Sequence, residues 1–463
     1  MSETIPSVPG HPLLGNLPEF SRSRIEMLTR LPDRYGDIAR ISIGFFVRAL
    51  VVAAPSLAHE TLVVHDDAFV KSLGLTIFAR PLLGNGLVTS AGEVHRRNRR
   101  MVAPAFAQKR IAGYARVMAS YADRCVDRLA RADQADLSHE MMQLTFEIVG
   151  KTLFDADVTG DAKAVGEALT SAMETFAHQI ASVIPIPPIV PTPTNLRARR
   201  AVRQLDDVVY RLILERRASG EDPGDMLSML LAARDEGDGA MTDQQVRDEA
   251  MTLLLAGHET TSNALAWAFY LLAKHPHVRA RLEHEVDGVL GGRPPTVADL
   301  PKLTYTMQVF KEAMRLYPPV YMVLRRATRD VVVGGFDVRK NEVVIVDIIG
   351  MHRRPEYFVD PMRFDPDRFA PEAEKALVKH AYLPFGGGPR VCIGNHFALM
   401  EGQIVLAHLA QHLRFDLIPG REEIACEPLI TLRPKGGVHV QVRRRDLGDA
   451  PRLDDRPLHG FVG

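Results

Sequence analysis

Cysteine is scarce: Cys125, Cys392 and Cys426 are the only three in 463 residues. An odd, widely spaced set is no disulfide framework and suits a reducing cytoplasm. Net charge is absent as well, with Lys plus Arg and Asp plus Glu at 57 each. That balance gives no reason to expect nucleic acid or an acidic membrane as the main partner. No apolar run reaches 18 residues, so no membrane span or anchor is expected. The opening MSETIPSVPGHPLLGNLPEF lacks a charged start followed by a long apolar stretch, which argues against a signal peptide. There is no internal repeat, no G-x-G-x-x-G and no P-loop.

What is present is apolar material for a large core, 46% of the residues. Residues 38–53 are rich in β-branched and aromatic side chains and predict two strands meeting at Gly44. From about 90 to 290 the pattern is helical, broken at IPIPPIVPTPTN (184–195), where five prolines forbid a helix interior. One amphipathic helix should end near Ser182 and the next run over roughly 196–218 to Gly220. A second β-rich stretch covers 331–349, with Gly334-Gly335 and Lys340-Asn341 as turns. ITLRPKGGVHVQVRRR predicts a hairpin turning at Pro434 to Gly437. The whole reads as one domain over 1–445, mainly α with a small β region, followed by a polar tail, 446–463, expected to be disordered.

The central helix is informative by itself. Thr242 with Gln245 forms a capping box, and Pro276 ends the helix about 34 residues later. MTLLLAGHETTSNALAWAFYLL is apolar on nearly every face and should be buried all round. Yet Gly257, His258, Glu259, Thr260 and Thr261 interrupt it. A buried carboxylate costs several kcal/mol unless paired, so water or a cofactor is expected beside Glu259.

The strongest local signal is PFGGGPRVCIGNHFALMEGQ, 384–403. Gly386, Gly387 and Gly388 let the backbone turn tightly and approach a flat cofactor. Cys392 then sits just before an apolar-periodic helix, whose N-terminus stabilises a thiolate. Haem iron takes such a thiolate, which pushes electron density towards O–O cleavage.

Phe385, Gly388, Arg390, Cys392 and Gly394 match all five fixed positions of F-x-x-G-x-R-x-C-x-G, and the segment resembles the haem-binding loop of the cytochrome P450 family. Chance gives such a match in on the order of 1 in 10,000 chains of this length. AGHETT, 256–261, resembles the family's oxygen-activation motif. By that resemblance Ala256 lies against the haem face, and the Glu259–Thr260 pair relays protons to bound dioxygen; Gly257 permits a local opening of the helix. Glu312 and Arg315 match the family's E-x-x-R on one helix face, and Arg368 of FDPDRF completes a structural triad. E-x-x-R alone is weak, since it recurs at 19–22 and 93–96. GEVHRRNRRMVAPAF, 92–106, resembles the helix carrying W-x-x-x-R, with His95 in place of tryptophan and Arg99 at the basic position; both should reach haem propionates. Arg325 falls where the family places another propionate-binding arginine.

The resemblance spans about Pro6 to Arg443 and implies a triangular helical prism around a buried haem b (iron protoporphyrin IX) held by Cys392. It implies a monomeric monooxygenase inserting one atom of O₂ into an apolar small molecule. The pocket would be lined by Phe78, Leu82, Leu83, Val88, Val320, Met322 and Val323, by the helices flanking the proline break, and would lack a fixed charge. Fatty acids, terpenoids and steroids remain open. About 70 residues follow Cys392, too few for a flavin domain, so a separate ferredoxin or flavodoxin with its reductase is expected, with Arg97 and Arg100 helping it dock. A peroxide-driven or isomerase-type haem-thiolate enzyme, or a haem sensor without chemistry, are the alternatives. The intact Glu259–Thr260 pair speaks against the first two. The arginine-dense 92–106 could suggest a nucleic-acid patch, but the neutral charge and the lack of a binding motif oppose it.

Overall fold

The structure, a computed structural model, describes residues 4–445 except 45–46, 157, 159, 161, 182–185, 221, 223–224 and 236–238. The tail 446–463 lies outside the described residues, as does Ser182, the expected end of the first helix.

Helices carry most of the fold, and the central one, Asp243–Lys274, organises the rest. Its start is closed by the expected box: Thr242 accepts from the Gln245 N–H while the Gln245 side chain accepts from Thr242 N–H at 2.9 Å. Its apolar sides are buried among the helices Leu137–Phe154, Pro193–Ser219, Thr304–Leu316 and Asn395–His412. Trp267 stacks on Tyr317 at 3.9 Å and donates Nε1–H to the Leu432 carbonyl. The helix is α-helical throughout. Gly257 therefore opens nothing here; it makes room, since a Cβ there would stand 3.2 Å from Val149 Cγ2 of the neighbouring helix.

The proline break separates the helices Ala162–Ala181 and Pro193–Ser219. The second begins at a Pro that needs no N–H partner and ends at Gly220 in the left-handed region.

A five-stranded sheet stands to one side. Its order is Ile38–Ile43, Val47–Val52, Val343–Asp347, Met322–Ala327, Phe69–Lys71, all neighbours antiparallel except Val47–Val52 with Val343–Asp347. Alternation sorts its side chains onto two faces: Leu50, Val52, Val344 and Val346 enter one core, Ala49, Val51 and Ile345 another. The Gly334-Gly335 and Lys340-Asn341 turns form as expected, with Asn341 at φ 71°.

The expected C-terminal hairpin does not form. Leu432–Pro434 pairs with Cys426–Pro428, whereas His439–Arg444 pairs with Leu413–Leu417 and Gln134–Asp136. Gly436 and Gly437, both at positive φ, redirect the chain between two sheets. A Cβ on Gly437 would stand 2.5 Å from the Asp136 carboxylate, which accepts the Val438 N–H. That tertiary anchor overrides the local turn signal. Among the described residues no helix is long and apolar enough to cross a membrane.

Candidate active site

The cysteine loop folds as its glycines require. Gly386 and Gly388 take φ of 70° and 69°, and a Cβ on Gly388 would stand 1.9 Å from the Leu62 carbonyl oxygen, so only glycine fits. The loop is closed by Cys392 N–H donating to the Phe385 carbonyl at 3.0 Å, and Arg99 Nη1 donates to the Val391 carbonyl at 2.9 Å. Phe385 packs on the main core. Gly394 caps the helix Asn395–His412, which puts Cys392 just ahead of its N-terminus. The Cys392 thiol is accessible, yet protein surrounds it closely enough that burial raises it above the ordinary thiol range, opposed by the Gly394 N–H and by Arg99. Cys125 is sealed in the core and pushed up to about 12 by burial; Cys426, half-buried, is pushed up to about 11. Neither has the loop or the helix terminus that Cys392 has.

Next to the loop, positive charge outweighs negative: among the described residues Asp66 is the acid whose attraction reaches Arg325 and Arg390. His95 and Arg99 come from the helix Gly92–Val102, Arg390 from the loop, and Arg325 from its strand. Lys71, not foreseen, pairs with Arg325 across two strands, an arrangement of like charges that is destabilising by itself. Burial, Arg390 and Arg325 hold Lys71 well below the usual ammonium range. Burial, with Arg390, Lys71, Arg99 and Arg325, lowers His95 to about 3. Burial and Arg390 bring Arg325 to about 10, and its Nε has no hydrogen-bond partner among the described residues. Among the described residues, four of these donate only to carbonyls: Lys71 to Val88, Arg99 to Val391, Arg325 to Leu324 and Arg390 to Ser90. Five basic groups sharing a partly buried space call for an anion. A haem fits this donor set: its carboxylates would be held by these cations, and Cys392 would be the protein's ligand to its iron. Among the described residues no group of three His, Cys, Asp or Glu could hold a metal ion by itself.

On the central helix, Ala256 is exposed and Gly257 and Thr260 are half-buried, in a stretch whose other residues are buried. Thr260 donates Oγ1–H to the Ala256 carbonyl at 2.7 Å, the bond one turn back that a mid-helix threonine favours. The partner of Glu259 is an arginine that sequence reasoning missed. Glu259 Oε1 accepts from Arg433 Nε at 2.9 Å and Nη2 at 2.7 Å, and from Thr431 Oγ1 at 2.6 Å. The acid and the alcohol are thus held by different groups, and neither water nor cofactor is needed to pair the carboxylate. Arg433 was hidden because its segment read as one arm of a hairpin. His258 is buried against Phe146 and lowered to about 3 by burial.

A cavity of about 750 Å³ opens above these residues. Phe78, Leu82, Leu83, Val88 and Val320 line it, as do Ala256, Glu259 and Thr260 and the helices on both sides of the proline break. Met322 and Val323 do not: they sit half-buried in their strand and pack against the sheet's two cores. The wall is not free of charge either, since Arg199 and Arg203 join it. Arg199 Nη2 reaches the carbonyls of Pro188 and Ile189 at 2.8 and 2.7 Å.

The triad lies apart from the cavity. Glu312 and Arg315 are fully buried and paired twice, at 2.6 and 2.7 Å. Arg368 Nε stands 3.4 Å from Glu312, and Arg315 also donates to the carbonyls of His352 and Pro361. His352 Nε2 in turn accepts from Leu383 N–H at 2.9 Å, which ties the triad to the chain entering the cysteine loop.

The chain matches the cytochrome P450 family model over residues 6–440. Cyclooctatin synthase of Streptomyces melanosporofaciens is 39% identical to it, covering 89% of this chain and 90% of its own length. Cyclooctat-9-en-7-ol 5-monooxygenase of the same organism is 36% identical, covering 90% and 91%. Pentalenene oxygenase of Streptomyces avermitilis is 34% identical, covering 88% and 90%.

Proposed function

Since the chain belongs to the cytochrome P450 family of haem-thiolate monooxygenases, we propose that it oxygenates a cyclic terpenoid, with Cys392 as the axial ligand of haem b. The observation that carries the substrate class is the cavity: about 750 Å³, walled mainly by apolar side chains, with Ala256 and Thr260 on the helix beside it. It suits a rigid hydrocarbon skeleton, and the names of the three relatives point the same way. The enzyme would work as a monomer in the cytoplasm, where its three free cysteines stay reduced. Electrons would come from a separate ferredoxin or flavodoxin with its reductase.

His95, Arg99, Arg325 and Arg390, joined by Lys71, would hold the haem carboxylates, and Phe385 and Gly394 would shape the loop around the thiolate. When bound, the haem supplies dioxygen binding and O–O cleavage, helped by electron density from the thiolate. The chain's own part is to place the substrate, exclude water and move protons. Thr260 Oγ1, one turn from Ala256, would pass a proton into the cavity and recover one in exchange. Glu259, held through Oε1 by Arg433 and Thr431, lines the cavity beside Thr260 and would serve as the next member of the relay. Glu312, Arg315 and Arg368 would hold the loop in place from behind.

The test is turnover of a panel containing cyclooctat-9-en-7-ol, a monocyclic terpene, a steroid and a long-chain fatty acid, with ferredoxin, reductase and O₂. A hydroxylated terpenoid should be the main product. Preferential hydroxylation of the fatty acid or the steroid would refute the substrate class and leave the chemistry standing.

A further inference from the structure

Residues 84–90, the turn between the helices Leu73–Leu83 and Gly92–Val102, serve two parts of the site at once. Val88 belongs to the cavity wall. The carbonyls of Val88 and Ser90 accept Lys71 and Arg390, so the same turn also carries two of the clustered cations. Its third attachment, to the central helix, has no part in the roles described so far. Asp248 Oδ2 accepts the Asn85 N–H at 2.8 Å, and Glu249 Oε2 accepts the Leu87 N–H at 3.0 Å. Glu249 Oε1 accepts Asn98 Nδ2 at 2.6 Å, which brings in the next helix. Two glycines allow the close approach: a Cβ on Gly84 would stand 1.9 Å from Asp248 Oδ1, and one on Gly86 2.3 Å from Thr252 Oγ1.

The two acids differ. Asp248 is paired with Arg247 at 3.1 Å and takes a bond from Gln244. Glu249 is buried, accepts only N–H groups, and has no ion pair among the described residues. Burial, with Asp248 beside it, pushes its carboxyl up to about 7. A buried acid without a counter-charge weakens a fold. What it provides here is a fixed acceptor for the N–H of the residue preceding Val88.

We propose that Glu249 is a positioning residue for the substrate: through the Leu87 N–H it fixes Val88 in the cavity wall and so governs which bulky ligands the cavity admits. This rests on the reading that the cavity holds substrate beside a haem.

Two azoles test it. Imidazole reaches haem iron without touching the wall, whereas clotrimazole carries three aromatic rings that must pack on it. Haem-loaded wild type, Glu249→Ala and Glu249→Gln are titrated with each, following the Soret shift. Loss of one buried acceptor corresponds to about tenfold in affinity. Glu249→Ala should therefore bind clotrimazole about tenfold more weakly and imidazole as wild type does. Glu249→Gln, which keeps an acceptor for Leu87, should bring clotrimazole back to within about threefold. Unchanged clotrimazole affinity in Glu249→Ala, equal losses for both azoles, or a Gln variant as weak as Ala would each overturn the proposal. Should Glu249→Ala not take up haem, Asn98→Ala, which frees Oε1 and lets the carboxylate drift, must show the same split between the azoles; no split overturns the proposal. A wild-type protein without any azole shift would instead overturn the haem-site reading beneath it.

Discussion

Thr260 spends its hydroxyl proton on the Ala256 carbonyl while its side chain lines the cavity. Replacing it by alanine removes one small polar group, leaves Cys392 untouched and suits a helix interior. Haem content and the carbon monoxide spectrum of Thr260→Ala should stay normal. Product formed per electron consumed should fall by about tenfold or more, a fraction of the roughly 10²–10⁴-fold that a proton-transfer group contributes to rate, with peroxide rising to match. An equal ratio in variant and wild type would remove Thr260 from proton delivery. At this scale the cysteine motif was legible because its reasons are local: Gly388 is glycine for the Leu62 carbonyl, and Cys392 needs only the helix that follows it. Lys71, Arg433 and Glu249 were not legible. Each acquires meaning from a residue far along the chain: Lys71 from Arg325 and Arg390, Arg433 from Glu259, Glu249 from Leu87 and Asn98.

Among elements, the helix Thr304–Leu316 does its work through one face. Arg315 ties it to the chain near His352 and Pro361, and His352 ties that chain to Leu383 at the loop entrance. Burial raises the Glu312 carboxyl, while Arg315, the Asp365 N–H and Arg368 draw it back. Removing one partner leaves the other charged and dry, which typically costs about 3–5 kcal/mol. Glu312→Ala should therefore yield little haem-loaded protein, read as the ratio of Soret to protein absorbance, and should melt earlier. A soluble variant with full haem loading and an unchanged melting temperature would show that the triad does not hold the cysteine loop in place. Elements with strong periodicity, such as the central helix and its capping box, were readable to their ends. The segment 432–444 was misread because glycine turn signals say that a chain bends, not which strand it then joins. Asp136, some 300 residues earlier, decides that.

Across the whole molecule, five basic groups, one accessible cysteine and an apolar cavity lie around the same central and cysteine-bearing helices. The likeness to the cytochrome P450 family runs through almost all of the chain, residues 6–440, so the site belongs to the fold and is not an addition to it. The substrate class was not legible in the sequence, because it depends on a cavity assembled from six separate segments and on the arginines at its wall. The central claim is that Cys392, among three cysteines, carries the haem iron as a thiolate. The most direct measurement is the spectrum of the reduced, carbon-monoxide-bound protein for wild type, Cys392→Ala, Cys125→Ala and Cys426→Ala. The thiolate-shifted Soret band should appear in wild type, Cys125→Ala and Cys426→Ala, and vanish in Cys392→Ala alone. A shifted band that survives in Cys392→Ala, or is missing from the wild-type protein, would contradict the account.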